Sequence, residues 1–148
     1  MKQVILLIIV FFLYINGYCQ DKTSNDLEVA NYIKKAESFI KANDFKNAIV
    51  NYTAALSHAS DKLGIYEKRS IVYLADKNYE DALLDYSKII ELEQEQKKLG
   101  SAYFYRGLCK IMLHQLNDGE CEDLSTAKKL GFEAEWKKFT MFCPFIAD

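Results

Sequence analysis

Proline and glycine are scarce in this chain, which has one proline and six glycines among 148 residues. All-β proteins need both residue types for their many tight turns, so their scarcity disfavours an all-β fold and suits a helical one. The chain also lacks an excess of basic residues, because its net charge at pH 7 is −2. Proteins that neutralise phosphate groups need a basic surface. We therefore expect no nucleic-acid partner.

The motifs of common catalytic and metal sites are also missing. The sequence contains no GxSxG, no glycine-rich phosphate loop and no HExxH. Its two histidines, His58 and His114, fall near predicted helix ends. The last three cysteines lie 12 and 22 residues apart, without the close ligand pairs of zinc sites. We expect no enzyme, no cofactor, no metal and no small-molecule substrate.

The longest apolar run is too short to cross a membrane. Val4–Ile15 contains twelve apolar residues, whereas a spanning helix needs about 20. Lys2 precedes the run, and the small residues Gly17 and Cys19 follow it. This order is typical of a secretory signal peptide. We predict that residues 1–19 are removed by cleavage after Cys19 and that residues 20–28 form a linker.

Two alternatives for the N-terminus stay open. Cys19 could be lipidated, although the bulky Tyr18 fits a bacterial lipoprotein motif poorly. The apolar run could also stay attached as an anchor, which would be the chain's only link to a membrane. Each possibility places the rest of the chain outside the cytoplasm, in the periplasm or cell envelope of a bacterium.

Residues 34 positions apart resemble each other along the first part of the chain. Nine pairs match in size and polarity: Tyr32/Tyr66, Ala36/Ser70, Phe39/Tyr73, Phe45/Tyr79, Ala48/Ala82, Ile49/Leu83, Tyr52/Tyr86, Ala55/Ile89 and Leu56/Ile90. Within each unit, apolar residues recur at i, i+4 and i+7, the spacing of one helix face. Asn and Asp between these stripes favour helix ends and N-caps. Each unit is thus predicted to be two antiparallel helices, and an imperfect third copy follows at offsets of 37 and 38.

A 34-residue helix–turn–helix with these small and aromatic positions resembles the tetratricopeptide repeat (TPR). The resemblance implies an all-α fold, an α-solenoid with repeats at 29–62, 63–96 and 97–130, the third degenerate and carrying insertions. The stretch CEDLSTAKKLGFEAE, followed by a late cysteine, is also similar to the ends of repeat proteins exported by Bacteroidetes.

The last repeat of a solenoid needs a cap, because its outer apolar face has no further repeat to cover it. Phe132, Trp136, Phe139 and Cys143 stand at i, i+4, i+7 and i+11. This spacing predicts a capping α-helix over Phe132–Cys143, within a cap and tail spanning residues 131–148. Gly131 is predicted to end the preceding helix in a left-handed conformation, and Pro144 to end the cap.

The predicted capping helix also brings two cysteines to similar positions along two antiparallel helices. Cys121 lies 10 residues before Gly131 and Cys143 lies 12 after it, so the two face each other on antiparallel helices. Export would permit a disulfide between them, which would contribute about 3 kcal/mol in the chain-entropy model. Two reduced core cysteines are the alternative. Cys109 is predicted to be a small buried residue.

The resemblance further implies a groove lined by the first helices of the repeats. The corresponding positions are Ala30, Ile33, Glu37, Ile40, Lys41, Gly64, Glu67, Ile71, Leu74, Ala75, Ser101, Phe104, Leu108, Ile111 and Met112. Many are apolar and lie outside the packing stripes. They are either exposed for binding or covered by the curved stack and the N-terminal segment.

These positions also bear on the kind of partner. Some TPR proteins hold the C-terminal carboxylate of a chaperone with Lys and Asn in the groove. Ile33, Glu37, Glu67 and Ile71 stand at the matching places, so we do not expect that activity. The predicted function is a module of the bacterial envelope that binds a protein or peptide segment in its groove. The alternative is a structural subunit held through its edges or convex face.

Overall fold

The computed structural model describes residues 25–114 and 119–146. Its six α-helices are α1 (25–41), α2 (Phe45–His58), α3 (Leu63–Ala75), α4 (Tyr79–Leu92), α5 (Gln96–Met112) and α6 (Glu120–Lys129). No strand occurs within these ranges. None of the helices described is both long and apolar enough to cross a bilayer. The predicted signal peptide and Cys19 lie outside the described residues.

One end of the predicted linker is helical instead. Residues 25–28 belong to α1, so the linker prediction is wrong for these four positions. Asp26 and Glu28 place carboxylates near the start of this helix, where negative charge is favoured. Glu28 also interacts with α2, because its carboxylate lies 3.5 Å from Nδ1 of His58.

The first two hairpins turn in the same way. After α1, Asn43 takes a left-handed conformation (φ 57°), and the Asp44 N–H donates to the Phe39 carbonyl. After α3, Lys77 takes the same conformation (φ 59°), and the Asn78 N–H donates to the Tyr73 carbonyl. Both are Schellman turns, which satisfy the last carbonyls of a helix while reversing the chain.

The residue that ends each Schellman turn also caps the next helix. The side chain of Asp44 accepts a hydrogen bond from the Asn47 N–H, and that of Asn78 from the Asp81 N–H. The predicted N-caps are thereby confirmed. Capping of this kind contributes about 1 kcal/mol to each helix.

Small residues allow the helices of each hairpin to approach closely, as the repeat pattern predicts. Ala36, Ala48, Ser70 and Ala82 are fully buried. Gly107 occupies the corresponding position in the third hairpin. A Cβ added there would lie 3.1 Å from the Glu120 carbonyl oxygen and 3.2 Å from the Leu124 Cγ. A side chain at this point would force its neighbours on α6 to shift by a few tenths of an ångström.

Two buried ion pairs join the helices of the second and third hairpins. Arg69 on α3 donates from Nε and Nη2 to Asp85 on α4, at 2.8 and 2.7 Å. Arg106 on α5 donates in the same two-pronged way to Asp123 on α6, at 2.9 and 2.6 Å. Lys110 adds a third contact to Asp123 at 2.9 Å. Neither pair is predicted by the spacing of the repeats.

The predicted capping α-helix is wrong. Gly131 ends α6 in the left-handed conformation as predicted (φ 81°), with the Phe132 N–H bonded to the Ala127 carbonyl. The chain beyond it forms only two short 3₁₀ helices, Trp136–Phe139 and Pro144–Ile146. The segment nevertheless covers the last repeat, because Phe132, Trp136, Phe139, Cys143 and Ile146 pack in one core cluster with residues of α5 and α6.

The geometry of the aromatic contacts explains the difference. Three rings converge on the single ring of Phe104, with centroid distances of 4.6 Å to Phe132, 5.9 Å to Trp136 and 5.5 Å to Phe139. In a straight α-helix these three residues span seven positions, or about 10 Å of rise. A compact, irregular segment brings them together more readily around one ring.

Candidate functional site: the groove face

We use the term groove face for the surface presented by the first helices α1, α3 and α5. Two hollows lie on it, both formed by described residues. Hollow A lies between α1 and α3, has a volume of about 270 Å³, and is lined by Glu37, Ile40, Phe45, Tyr52, Lys68, Ile71, Val72 and Ala75. Hollow B lies between α3 and α5, has a volume of about 250 Å³, and is lined by Glu67, Ser70, Ile71, Tyr86, Ile89, Lys98, Ser101, Ala102 and Tyr105.

Ile71 lines both hollows and is 63% exposed. An aliphatic side chain with this exposure makes few contacts with its own chain and offers most of its surface to a partner. Ile71 therefore stands at the centre of the groove face as a ridge between two recesses.

A tyrosine from a second helix contributes to the lining of each hollow. Tyr52 of α2 lines hollow A and Tyr86 of α4 lines hollow B. Both are almost fully buried, and the Tyr86 ring stacks on Tyr105 at 5.5 Å. Burial raises the pKa of Tyr86 well above its usual value, so its hydroxyl stays protonated. These packed rings give the hollows rigid walls.

The charges of hollow A cancel. Lys68 on α3 donates to Glu37 on α1 at 2.7 Å. This hydrogen bond lowers the pKa of Glu37 and raises that of Lys68. Both side chains are about half exposed, so the pair contributes little to stability. It leaves no unpaired charge between the two residues.

The charges of hollow B are arranged differently. Lys98 lies 3.5 Å from Glu95 and 3.9 Å from Glu93. Glu93 accepts the backbone N–H groups of Gln94 and Glu95 through Oε1, and the Glu95 N–H contributes most to lowering its pKa. Glu67 lines the hollow, but its carboxylate makes no hydrogen bond or ion pair with any residue in the described ranges.

The structure divides the predicted groove residues into three groups. Glu37, Lys41, Ile71 and Met112 are exposed, while Ile33, Ile40, Glu67, Leu74 and Leu108 are half-buried. Phe104 and Ile111 are buried in the third core cluster, 9% and 6% exposed. Including these two in the groove was wrong, because the C-terminal segment packs over their side of α5.

Several residues of the hollows were not predicted as groove residues. Lys68, Tyr52, Lys98 and Tyr105 line the hollows without occupying the expected groove positions. Lys98 belongs to the stretch where the third repeat gains three residues, so the repeat pattern gives no position for it. Glu37 and Lys68 are opposite charges on successive first helices, which was the one available signal for their pairing.

The three cysteines that the structure describes line neither hollow. Cys121 and Cys143 are joined by a disulfide in the structure, with their Cα atoms 5.4 Å apart. Glu120 places a carboxylate oxygen within 4.8 Å of both sulfurs, but sulfurs bonded to each other are not thiolate ligands for a metal. Cys109 is a fully buried thiol, and burial raises its pKa to about 12, so it is unreactive.

Two solved TPR structures are similar to this chain. The first TPR of Spaghetti (RPAP3), solved with the HSP90 peptide SRMEEVD, is 17% identical with a TM-score of 0.65, over 82% of this chain and 95% of that one. The second TPR domain of human RPAP3, solved with the HSP70 peptide SGPTIEEVD, is 20% identical with a TM-score of 0.64, over 84% and 98%. No protein-family model and no curated protein matches the sequence. The chain therefore has the all-α fold of a TPR domain.

Proposed function

We propose that this protein binds a peptide or an extended or helical segment of another protein on its groove face. The observation that carries the proposal is Ile71, an exposed aliphatic ridge between two mainly apolar hollows. Recognition through such recesses relies on apolar side chains entering pockets along a bound segment. The two similar TPR domains were solved with bound peptides, which supports a peptide as the partner. The proposal assigns binding and no reaction.

Photocrosslinking at two matched positions tests the proposal. Ile71 and Val50 are both aliphatic and both 63% exposed, but Val50 lies on α2 and lines neither hollow. A photoreactive residue at position 71 should crosslink to a partner in native envelopes, whereas one at position 50 should not. The Ile71→Asp variant should lose partner capture while keeping the helical circular-dichroism spectrum, because the side chain is mostly exposed.

A structural role through another face is the second candidate. Val50 and Leu84 occupy the same position in successive second helices, 34 residues apart, and are 63% and 60% exposed. Exposed apolar residues that recur in register suit contact with a larger assembly. Crosslinks from position 50 without crosslinks from position 71 would favour this role and reject the groove.

We further propose that the protein works after export, in the periplasm or cell envelope of a bacterium. The basic start and short apolar run at the N-terminus support export, and an exported protein can keep a Cys121–Cys143 disulfide. Intact mass measured without reductant should fit a chain that begins at Gln20 and is two hydrogens lighter than the reduced form. A reduced Cys121 in the exported protein would reject the disulfide.

A further inference from the structure

The carboxylate of Glu67 in hollow B has no ion-pair partner among the described residues. Glu67 is half-buried on α3 and lines the hollow beside Ile71. Its carboxylate forms neither a hydrogen bond nor an ion pair within the part of the chain that the structure describes. A carboxylate that loses water around it gains most from a charged or N–H donor. Glu67 thus has capacity for a cationic partner.

The one lysine of hollow B does not supply that partner. Lys98 is already shared by Glu95 and Glu93, at 3.5 and 3.9 Å. The charge of Glu93 is the largest cause that raises the pKa of Lys98, followed by Glu95, with a smaller effect from Glu67. Lys98 is therefore already engaged by two carboxylates, which leaves Glu67 as the charge in the lining of hollow B without an ion pair among the described residues.

Glu93 pairs with Lys98 beside hollow B without lining it, and one of its carboxylate oxygens is incompletely bonded. Its side chain is only 7% exposed, and its Oε2 has no hydrogen-bond partner among the described residues. Lys98 Nζ, at 3.9 Å, is too far away to donate a hydrogen bond to it. Hollow A differs, because Glu37 and Lys68 bond directly at 2.7 Å.

We propose that hollow B receives a lysine or arginine side chain of the bound segment, whose cationic head pairs with Glu67 while an adjacent apolar residue packs on Ile71. This proposal rests on the peptide-binding function proposed above. A basic side chain suits the hollow because its aliphatic stem can pack on apolar surface while its head stays polar. The half-buried Tyr105 lines the hollow, and tyrosine rings attract cations.

The chain uses the same packing within its own fold. Arg69 lies over the ring of Tyr66 at 5.7 Å, and Arg106 over that of Tyr103 at 5.3 Å. Each arginine then reaches a carboxylate on the next helix. A basic residue of the partner would repeat in hollow B an arrangement of tyrosine, cation and carboxylate that the hairpins already contain.

The partner is therefore an apolar segment with a basic residue and not an acidic one. The peptides in the two similar TPR structures end in EEVD. An acidic side chain bound in hollow B would lie close to Glu67, and like charges at short range are unfavourable.

Selection from a phage library of short random peptides tests this inference. The probe library is panned on the full mature chain, on Ile71→Asp, on Glu67→Gln and on Glu133→Gln, which removes an exposed carboxylate outside both hollows. We expect peptides selected on the unaltered chain to be enriched in Lys and Arg beside apolar residues. Glu67→Gln should weaken binding of a selected peptide by about fivefold, and added salt should reduce that difference. Glu133→Gln should leave its affinity unchanged.

Each outcome decides a separate question. If no peptide is enriched on the unaltered chain over Ile71→Asp, both the groove function and this inference are rejected. If peptides are enriched without a preference for basic residues, the groove function stands and this inference is overturned. A basic preference that persists in Glu67→Gln would also overturn it, because another group would then provide the charge.

Discussion

The two sides of α5 meet very different neighbours. On the side that faces α3, Ser101, Ala102 and Tyr105 leave hollow B open. On the other side, Phe104 is covered by the rings of Phe132, Trp136 and Phe139. The residue corresponding to Phe104 in the previous repeat is Glu67. The same position is thus a carboxylate where the surface is open and an aromatic ring where it is covered.

Substitutions of Phe104 and of Glu67 should differ most in their effect on the free energy of unfolding. Phe104→Ala removes the ring on which three others converge, and truncation of a buried phenylalanine costs about 3–5 kcal/mol. Glu67→Ala should change the free energy of unfolding by less than about 0.5 kcal/mol, since its carboxylate makes no hydrogen bond or ion pair among the described residues. Urea denaturation of both variants measures the difference. Equal losses would mean that Phe104 does not anchor the cap.

Breaking the buried ion pair of the third hairpin should cause the next largest loss of stability. Asp123→Asn leaves Arg106 and Lys110 facing a neutral amide in a largely buried position. Loss of one partner of such a pair costs about 3 kcal/mol. The neighbouring exposed Glu122 provides the control, because Glu122→Gln should cost less than about 0.5 kcal/mol. Thermal unfolding measures the stability of both variants. Equal losses of stability in Asp123→Asn and Glu122→Gln would contradict this expectation.

Breaking the disulfide should cost as much stability as the loss of the Asp123 ion pair, or slightly less. The loss should be confined to the capped side of the molecule. The bond closes a loop with a separation of 22 residues, which the chain-entropy model values at about 3 kcal/mol. We expect Cys143→Ser to speed amide hydrogen exchange in α6 and the C-terminal segment while leaving α1–α3 protected. Faster exchange spread evenly over all the helices would show that the two sides are not separate in stability.

The smallest effect on stability is expected on the open side. Ile71→Asp should alter the free energy of unfolding by no more than about 0.5 kcal/mol, because the side chain is mostly exposed. Val50→Asp should behave alike in urea denaturation. Only the Ile71 variant should lose partner binding. A large loss of stability in Ile71→Asp would identify this residue as part of the fold instead.

Most of the fold follows from local chemistry that the sequence displays. The buried Ala36 and Tyr52, with their counterparts Ser70 and Tyr86, recur at one offset because every hairpin solves the same packing problem. The caps at Asp44 and Asn78 follow from side-chain hydrogen bonding within one turn. Such features are short in range and therefore readable from spacing.

The features that escaped prediction depend on distant contacts. The C-terminal segment has helical spacing, but its rings gather around Phe104 on another helix, which spacing alone cannot reveal. The ion pairs recur only in the last two hairpins, since Asn51 stands where Asp85 does one repeat later. Lys98 enters hollow B through an insertion, where the period that predicts the groove no longer applies.

The shared position of Ile71 affects how binding energies on the groove face can be assigned. Because this one side chain lines both hollows, groups bound in the two hollows would touch a common residue. Free energies of substitutions add only when the sites have no common partner. The affinities of the two hollows are then not separate quantities, and a double-mutant cycle between Ile40 and Ile89, each of which lines one hollow only, would measure their coupling.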